Sequence, residues 1–175
     1  MPFTFINKTN TIFTSIKHFL EIWDAETKST LACFENLTDE SFSKDLVHDY
    51  RTIERNVNHI VDCAASIPFA ATLPVVGYEK KHYTNKAAII DAYIKNTAAV
   101  KQAAAKWTDE NLPEEIPMYG ETWTKGSALW VTFVHQVHHR GQLTVLIRLA
   151  GLKVPGVYGP AKEEWEAMVF LPQAD

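Results

Sequence analysis

A chain of 175 residues that is 46% hydrophobic and 22% charged has the balance of a soluble globular domain, long enough to bury a core without disulfides. Its net charge of -4 and pI of about 6.0 exclude the basic excess of a nucleic-acid-binding protein. Two cysteines, Cys33 and Cys63, are too few for a disulfide framework, and neither a leader peptide nor a membrane-length apolar run is visible, so one domain over 1–175 with reduced thiols in the cytoplasm is expected.

Residues 1–9 read as an irregular lead-in. From Asn10, a plausible N-cap, Ile12, Ile16, Phe19, Leu20, Trp23, Leu31 and Phe34 recur at three- and four-residue spacing, which predicts a helix over about 11–36. The polar stretch 37–51 is a connection with a short helical turn. A second long helix runs from about Tyr50 to Ile67, its core stripe being Ile53, Val57, Ile60, Val61, Ala64 and Ile67, and Pro68 is expected to stop it. Beside that stripe lies a second row, Thr52, Asn56, His59, Cys63 and Ser66, so His59 sits at the border of the buried face.

Residues 68–83 form a long loop, after which Thr84 caps an alanine-rich helix over about 85–107. A proline- and glycine-containing loop covers 108–124. The last long helix runs from about Ser127 to Ala150, with Gly151 at the left-handed position beyond its end. An extended segment, 153–160, precedes a short helix at about 161–168. No strand pattern is visible, and four long helices joined by loops predict an all-α, antiparallel four-helix bundle. Arg140, Arg148 and Lys153 form a thin basic row that a solvated helix face explains.

Three of the seven histidines fall within five residues, at His135, His138 and His139. His135 and His139 project from one face of a helix, about 6 Å apart along its axis. That face continues through Ala128, Thr132, Leu143 and Leu146 and is a core face. Two imidazoles so placed can chelate a metal ion; His138 could also pair with His135, and spacing alone does not choose. A lone interior histidine is more often a hydrogen-bonded core residue, but two buried imidazoles without partners would each carry the penalty of an unsatisfied polar group, which coordination removes. His59, mid-helix at the edge of a core stripe, is the best third candidate, since a bundle brings side chains of facing helices together. His18 and His48 lie on polar stretches and His82 in a loop. Cys63 could be a thiolate near a metal, although burial as a small apolar residue explains it more simply.

Rival chemistries fail on the text. Gln136 stands where the helix-borne histidine pair of zinc proteases carries its glutamate base. Di-iron bundles need two Glu-x-x-His motifs, and this chain offers only Glu79 with His82, in a loop. No glycine-rich phosphate loop and no nucleophile-elbow serine is present.

His135-x-x-His138-His139-Arg140-Gly141-Gln142-Leu143, then Arg148-Leu149-Ala150-Gly151 and Pro155-Gly156-Val157-Tyr158-Gly159-Pro160, resemble the C-terminal signature of the DinB-like (damage-inducible) family of metal-binding four-helix bundles. The resemblance covers essentially the whole chain. It implies a three-histidine site on His59, His135 and His139, with His138 a neighbour. It implies a homodimer and a divalent ion, zinc or nickel foremost, with iron or manganese as alternatives. The wider superfamily includes thiol S-transferases and a maleylpyruvate isomerase, in which the metal activates a small thiol.

Two functions follow as expectations. The first is a metal-dependent enzyme, a thiol S-transferase or hydrolase, acting on an unknown small-molecule or thiol substrate. The second is a non-catalytic metal-holding or ligand-sensing dimer. Gln142 and Asp62 are candidates to support the metal-bound imidazoles from outside. Neither nucleic acid nor membrane is an expected partner.

Overall fold

The computed structural model describes residues 12–165 and 167. The expected lead-in, the cap at Asn10 and part of the short helix at 161–168 lie outside those residues; what is described of that helix is one 3-10 turn, Lys162–Glu164.

Helix α1 spans Ile16–Glu35 and starts later than its apolar pattern suggests. Ser15 is the N-cap, its hydroxyl accepting from the His18 amide at 3.1 Å. The amide of Ile16 donates to Asp109 Oδ1 at 2.8 Å, so a side chain from far along the chain satisfies an orphan group of the first turn. A four-residue turn, α2 (Asp39–Phe42), interrupts the connection. Helix α3 spans Ile53–Ala70, capped by Thr52, and α4 spans Lys86–Ala104, capped by Asn85 rather than Thr84. Helix α5 spans Lys125–Leu149, capped by Thr124, and Gly151 has the expected positive φ of 78°.

Pro68 does not end α3; it lies in its last turn. Proline there forfeits one backbone bond and crowds the carbonyl four residues back, at a cost of about 3 kcal/mol in a helix interior. Tertiary packing outweighs it. Ile67 and Ala71 are buried in a cluster with Ile116, Met118 and Trp123, and Ala71 and Leu73 donate back to Ile67 and Pro68 carbonyls at 3.0 and 3.1 Å.

That cluster exposes a second departure, since the chain is not wholly helical. Strands β1 (Glu115–Met118) and β2 (Glu121–Thr124) form an antiparallel hairpin inside the expected loop. Tyr119 and Gly120 form its turn with φ of 53° and 79°, the pair of positive values a type I′ turn requires. Ile116 and Met118 point inward beside Trp123, and Pro117 occupies a position in a two-stranded ribbon where no further strand needs its missing N–H.

The four long helices form a ring of contacts: α1 packs on α4 and α5, and α3 packs on α4 and α5. Phe19, Trp23, Phe34, Val57, Ile60, Tyr93 and Leu143 belong to one core between them. The Trp23 indole N–H donates to the Thr97 carbonyl at 3.1 Å, tying α1 to α4. Among the described residues no helix is long and apolar enough to cross a membrane.

Arg140 is not on a solvated face. It is 1% exposed and pairs with Glu26 of α1 at 2.5 Å. Its guanidinium also donates to the Glu26 carbonyl and Thr30 Oγ1, both at 3.2 Å, and to Tyr158 Oη at 2.7 Å. The Tyr158 hydroxyl in turn donates to Glu26 Oε1 at 2.9 Å. Breaking a buried pair by removing one partner strands the other charge. Glu26→Leu is therefore expected to cost about 3–5 kcal/mol. In urea denaturation the double variant Glu26→Leu/Arg140→Leu should be more stable than Glu26→Leu alone; additive losses would show that the pair is not coupled.

Candidate metal centre

The second polar row of α3 and the histidine face of α5 meet where these helices pack. The Nε2 atoms of His59 and His139 are 3.0 Å apart, and those of His59 and His135 are 3.2 Å apart. The ring centroids of His135 and His139 are 4.6 Å apart. All three histidines singled out from the sequence are thus brought together. His138 is exposed: its Nε2 is 3.1 Å from Gln142 Nε2, and its ring lies edge-on to His139. His18 meets Phe13 edge-on, His48 pairs with Asp49 and His82 pairs with Glu54, all away from the cluster.

Protons alone do not satisfy this arrangement. Gln142 Oε1 lies 2.7 Å from His139 Nδ1 and accepts its proton, so a neutral His139 presents a bare lone pair at Nε2. In either tautomer of His59, one of its two N···N contacts is then left without a good hydrogen bond. Adding a proton is opposed by the surroundings. Burial, then the neighbouring imidazoles and Arg51, lowers His59 and His135 to about 4. His139 is lowered as well, by burial first, against the opposing hydrogen bond of Gln142. Three neutral imidazoles with converging lone pairs are the donor set of a divalent metal.

Cys63 is the fourth candidate donor. Its Sγ lies 3.6 Å from both ring nitrogens of His59, and the ligand atoms of His59, Cys63 and His135 all lie within 4.8 Å of one another. Burial, then the carboxylate of Asp62, raises this thiol to about 11, so without an ion it is held protonated. Asp62 does not support an imidazole: its carboxylate accepts from the Tyr78 hydroxyl at 2.6 Å and faces Lys80 at 4.0 Å.

Three further residues shape the site, one with a different reading in the sequence and two with none. Gln136, which the text marks only as a missing glutamate, accepts from the buried Tyr93 hydroxyl at 2.7 Å and so anchors α5 to α4. Arg51 and Lys80 share with His59 the lining of a cleft of about 480 Å³. They are far apart in sequence, and no local spacing announces that they meet.

The sequence profile of the DinB family matches residues 7–174. A Bacillus subtilis protein described as uncharacterized protein YrdA is 39% identical over 159 residues, covering 88% of this chain and 94% of that protein. The crystal structure of a DinB-like protein from Bacillus cereus superposes with a TM-score of 0.78 at 37% identity, over 84% of this chain and all of that one. A DinB-like protein from B. subtilis, YjoA, superposes with a TM-score of 0.64 at 20% identity, over 80% and 96% of the two chains, a likeness of fold alone.

If Gln142 fixes the proton of His139, long-range proton–nitrogen NMR of the metal-free protein will show His139 as the Nδ1–H tautomer. In Gln142→Leu the Nε2–H form should become populated. An unchanged tautomer in that variant would show that Gln142 does not set it.

Proposed function

This chain belongs to the DinB family, and we propose that it is a divalent-metal protein in which His59, His135 and His139 hold one ion, zinc or nickel foremost, inside a single antiparallel four-helix bundle. The observation that carries this reading is the convergence of three neutral Nε2 atoms at 3.0 and 3.2 Å with too few protons to serve them. Three protein ligands leave a position for a reactant, the pattern of catalytic rather than closed structural sites. The ion would supply Lewis acidity that lowers the pKa of a thiol or water beside it.

The chain's own groups do the rest. Gln142 keeps the His139 lone pair turned inward, as outer partners of metal-bound imidazoles do. Arg51, Arg55 and Lys80 make the cleft beside His59 basic, which favours a reactant with negative charge. Cys63 stands beside His59 and, without an ion, is held protonated by burial. The reaction proposed is of thiol S-transferase or hydrolase type. A non-catalytic metal-holding or ligand-sensing role is the alternative, and the cleft that reaches His59 favours the enzyme. A homodimer is proposed from the family resemblance and is open to light scattering.

As purified, the protein should carry about one divalent ion per chain by elemental analysis. His59→Ala, His135→Ala and His139→Ala should each lose most of it, and Cys63→Ser and His138→Ala should keep it. Loss in Cys63→Ser with retention in His139→Ala would move the site to His59, Cys63 and His135. Retention by all three histidine variants would end the metal reading.

A further inference from the structure

A second cleft, of about 570 Å³, opens between the segment 47–51, the first turns of α3 and the last turns of α5. Its volume suits a small molecule. Val145 and Leu149 of α5, 58% and 52% exposed, form one apolar wall, Tyr50 stands opposite, and Leu146 lies deeper. Single exposed apolar residues need no explanation; here they line one concavity.

Asn56 lines the same cleft and is only 1% exposed. Among the described residues neither its Oδ1 nor its Nδ2 has a hydrogen-bond partner. A buried amide left unpaired is costly, so such a group calls for a partner from outside the chain. It offers donors and an acceptor side by side, and its complement is a group that both accepts and donates, as another amide does. Arg51, also lining the cleft, makes no ion pair among the described residues; the one carboxylate in the lining, Asp49, faces His48 at 3.2 Å. An unneutralised guanidinium beside an apolar wall suits a carboxylate.

The position joins this cleft to the imidazoles. Asn56 precedes His59 by three residues, about 4.5 Å of helix rise. Gln142, which binds His139, forms part of the cleft lining.

We propose that this cleft binds a small amphiphilic acid, an N-acylated aliphatic amino acid being the simplest form, with Asn56 pairing its amide, Arg51 its carboxylate and the α5 wall its side chain. That the bound acid is a substrate rests on the metal reading above; that it binds does not.

The probe is N-acetyl-L-leucine, titrated calorimetrically into the protein as purified. The comparators are its carboxamide, which lacks the charge, and 4-methylpentanoate, which lacks the amide. N-acetyl-L-leucine should bind about tenfold or more tightly than either comparator. Asn56→Leu should bring it level with 4-methylpentanoate, and Arg51→Leu should bring it level with its carboxamide, with metal content unchanged in both. Asn56→Leu should also raise the urea midpoint, because an unpaired buried amide is replaced by an apolar group of similar shape. A merely structural Asn56 would give a lower midpoint and unchanged binding, which overturns the proposal. Equal or absent binding of all three probes also overturns it. So does a dimer, dissociated by Leu149→Asp, in which the wild type excludes the probe. His139→Ala separates the two readings: it should lose metal yet keep N-acetyl-L-leucine binding. Full metal in that variant would remove His139 from the ligand set without touching this proposal, and absent probe binding in the wild type would undo this proposal alone.

Discussion

The buried pair between Arg140 and Glu26 sets the rotation of α5, and the functional face of the molecule depends on that rotation. Successive residues of a helix point about 100° apart. Arg140 follows His139 directly, and Gln136 follows His135. With Arg140 held against α1 by Glu26 and Thr30, and Gln136 held against α4 by Tyr93, the residues just before them are turned toward α3. The two dipeptides thus act alike, the second member anchoring and the first presenting an imidazole. Tyr158 extends this anchor to the segment after α5, because its hydroxyl touches both members of the pair.

The α3–α5 seam then holds polar groups that an apolar core would exclude. Three imidazoles meet where burial resists protonation, and an amide one helical turn away is buried without a hydrogen-bond partner among the described residues. Each is a local loss of stability beside a large apolar core. Such losses gathered along one seam, with one cleft reaching His59 and another reaching Asn56 and Gln142, mark a surface arranged for ligands rather than for folding.

Much of the fold is legible in the text, since four apolar periodicities give the four long helices and their order. The errors have physical causes. The hairpin hides because its strands are four residues long and one carries Pro117, while its Tyr119-Gly120 turn lacks the usual Asn-Gly signal. Pro68 reads as a stop because only distant contacts, with that same hairpin and with Ala128 and Val131 of α5, make its turn of helix worthwhile. Arg140 reads as a surface cation because its counter-ion lies 114 residues earlier. The helix starts shift by one to a few residues because each cap competes with its neighbours, as Asn85 does with Thr84.

What the sequence determined by itself is what lies within a turn or two of helix: the same-face pair His135 and His139, the border position of His59 on its own helix, and the signature from His135 to Pro160. Those follow from a fixed rise and rotation per residue. Only the tertiary structure decided that the three Nε2 atoms converge, that Gln142 and not Asp62 reaches an imidazole, that Cys63 stands beside His59, and that Asn56 and Arg51 share a cleft. Each depends on how α3 and α5 are rotated and set against each other, and that is fixed by partners such as Glu26 and Tyr93 that lie elsewhere in the chain.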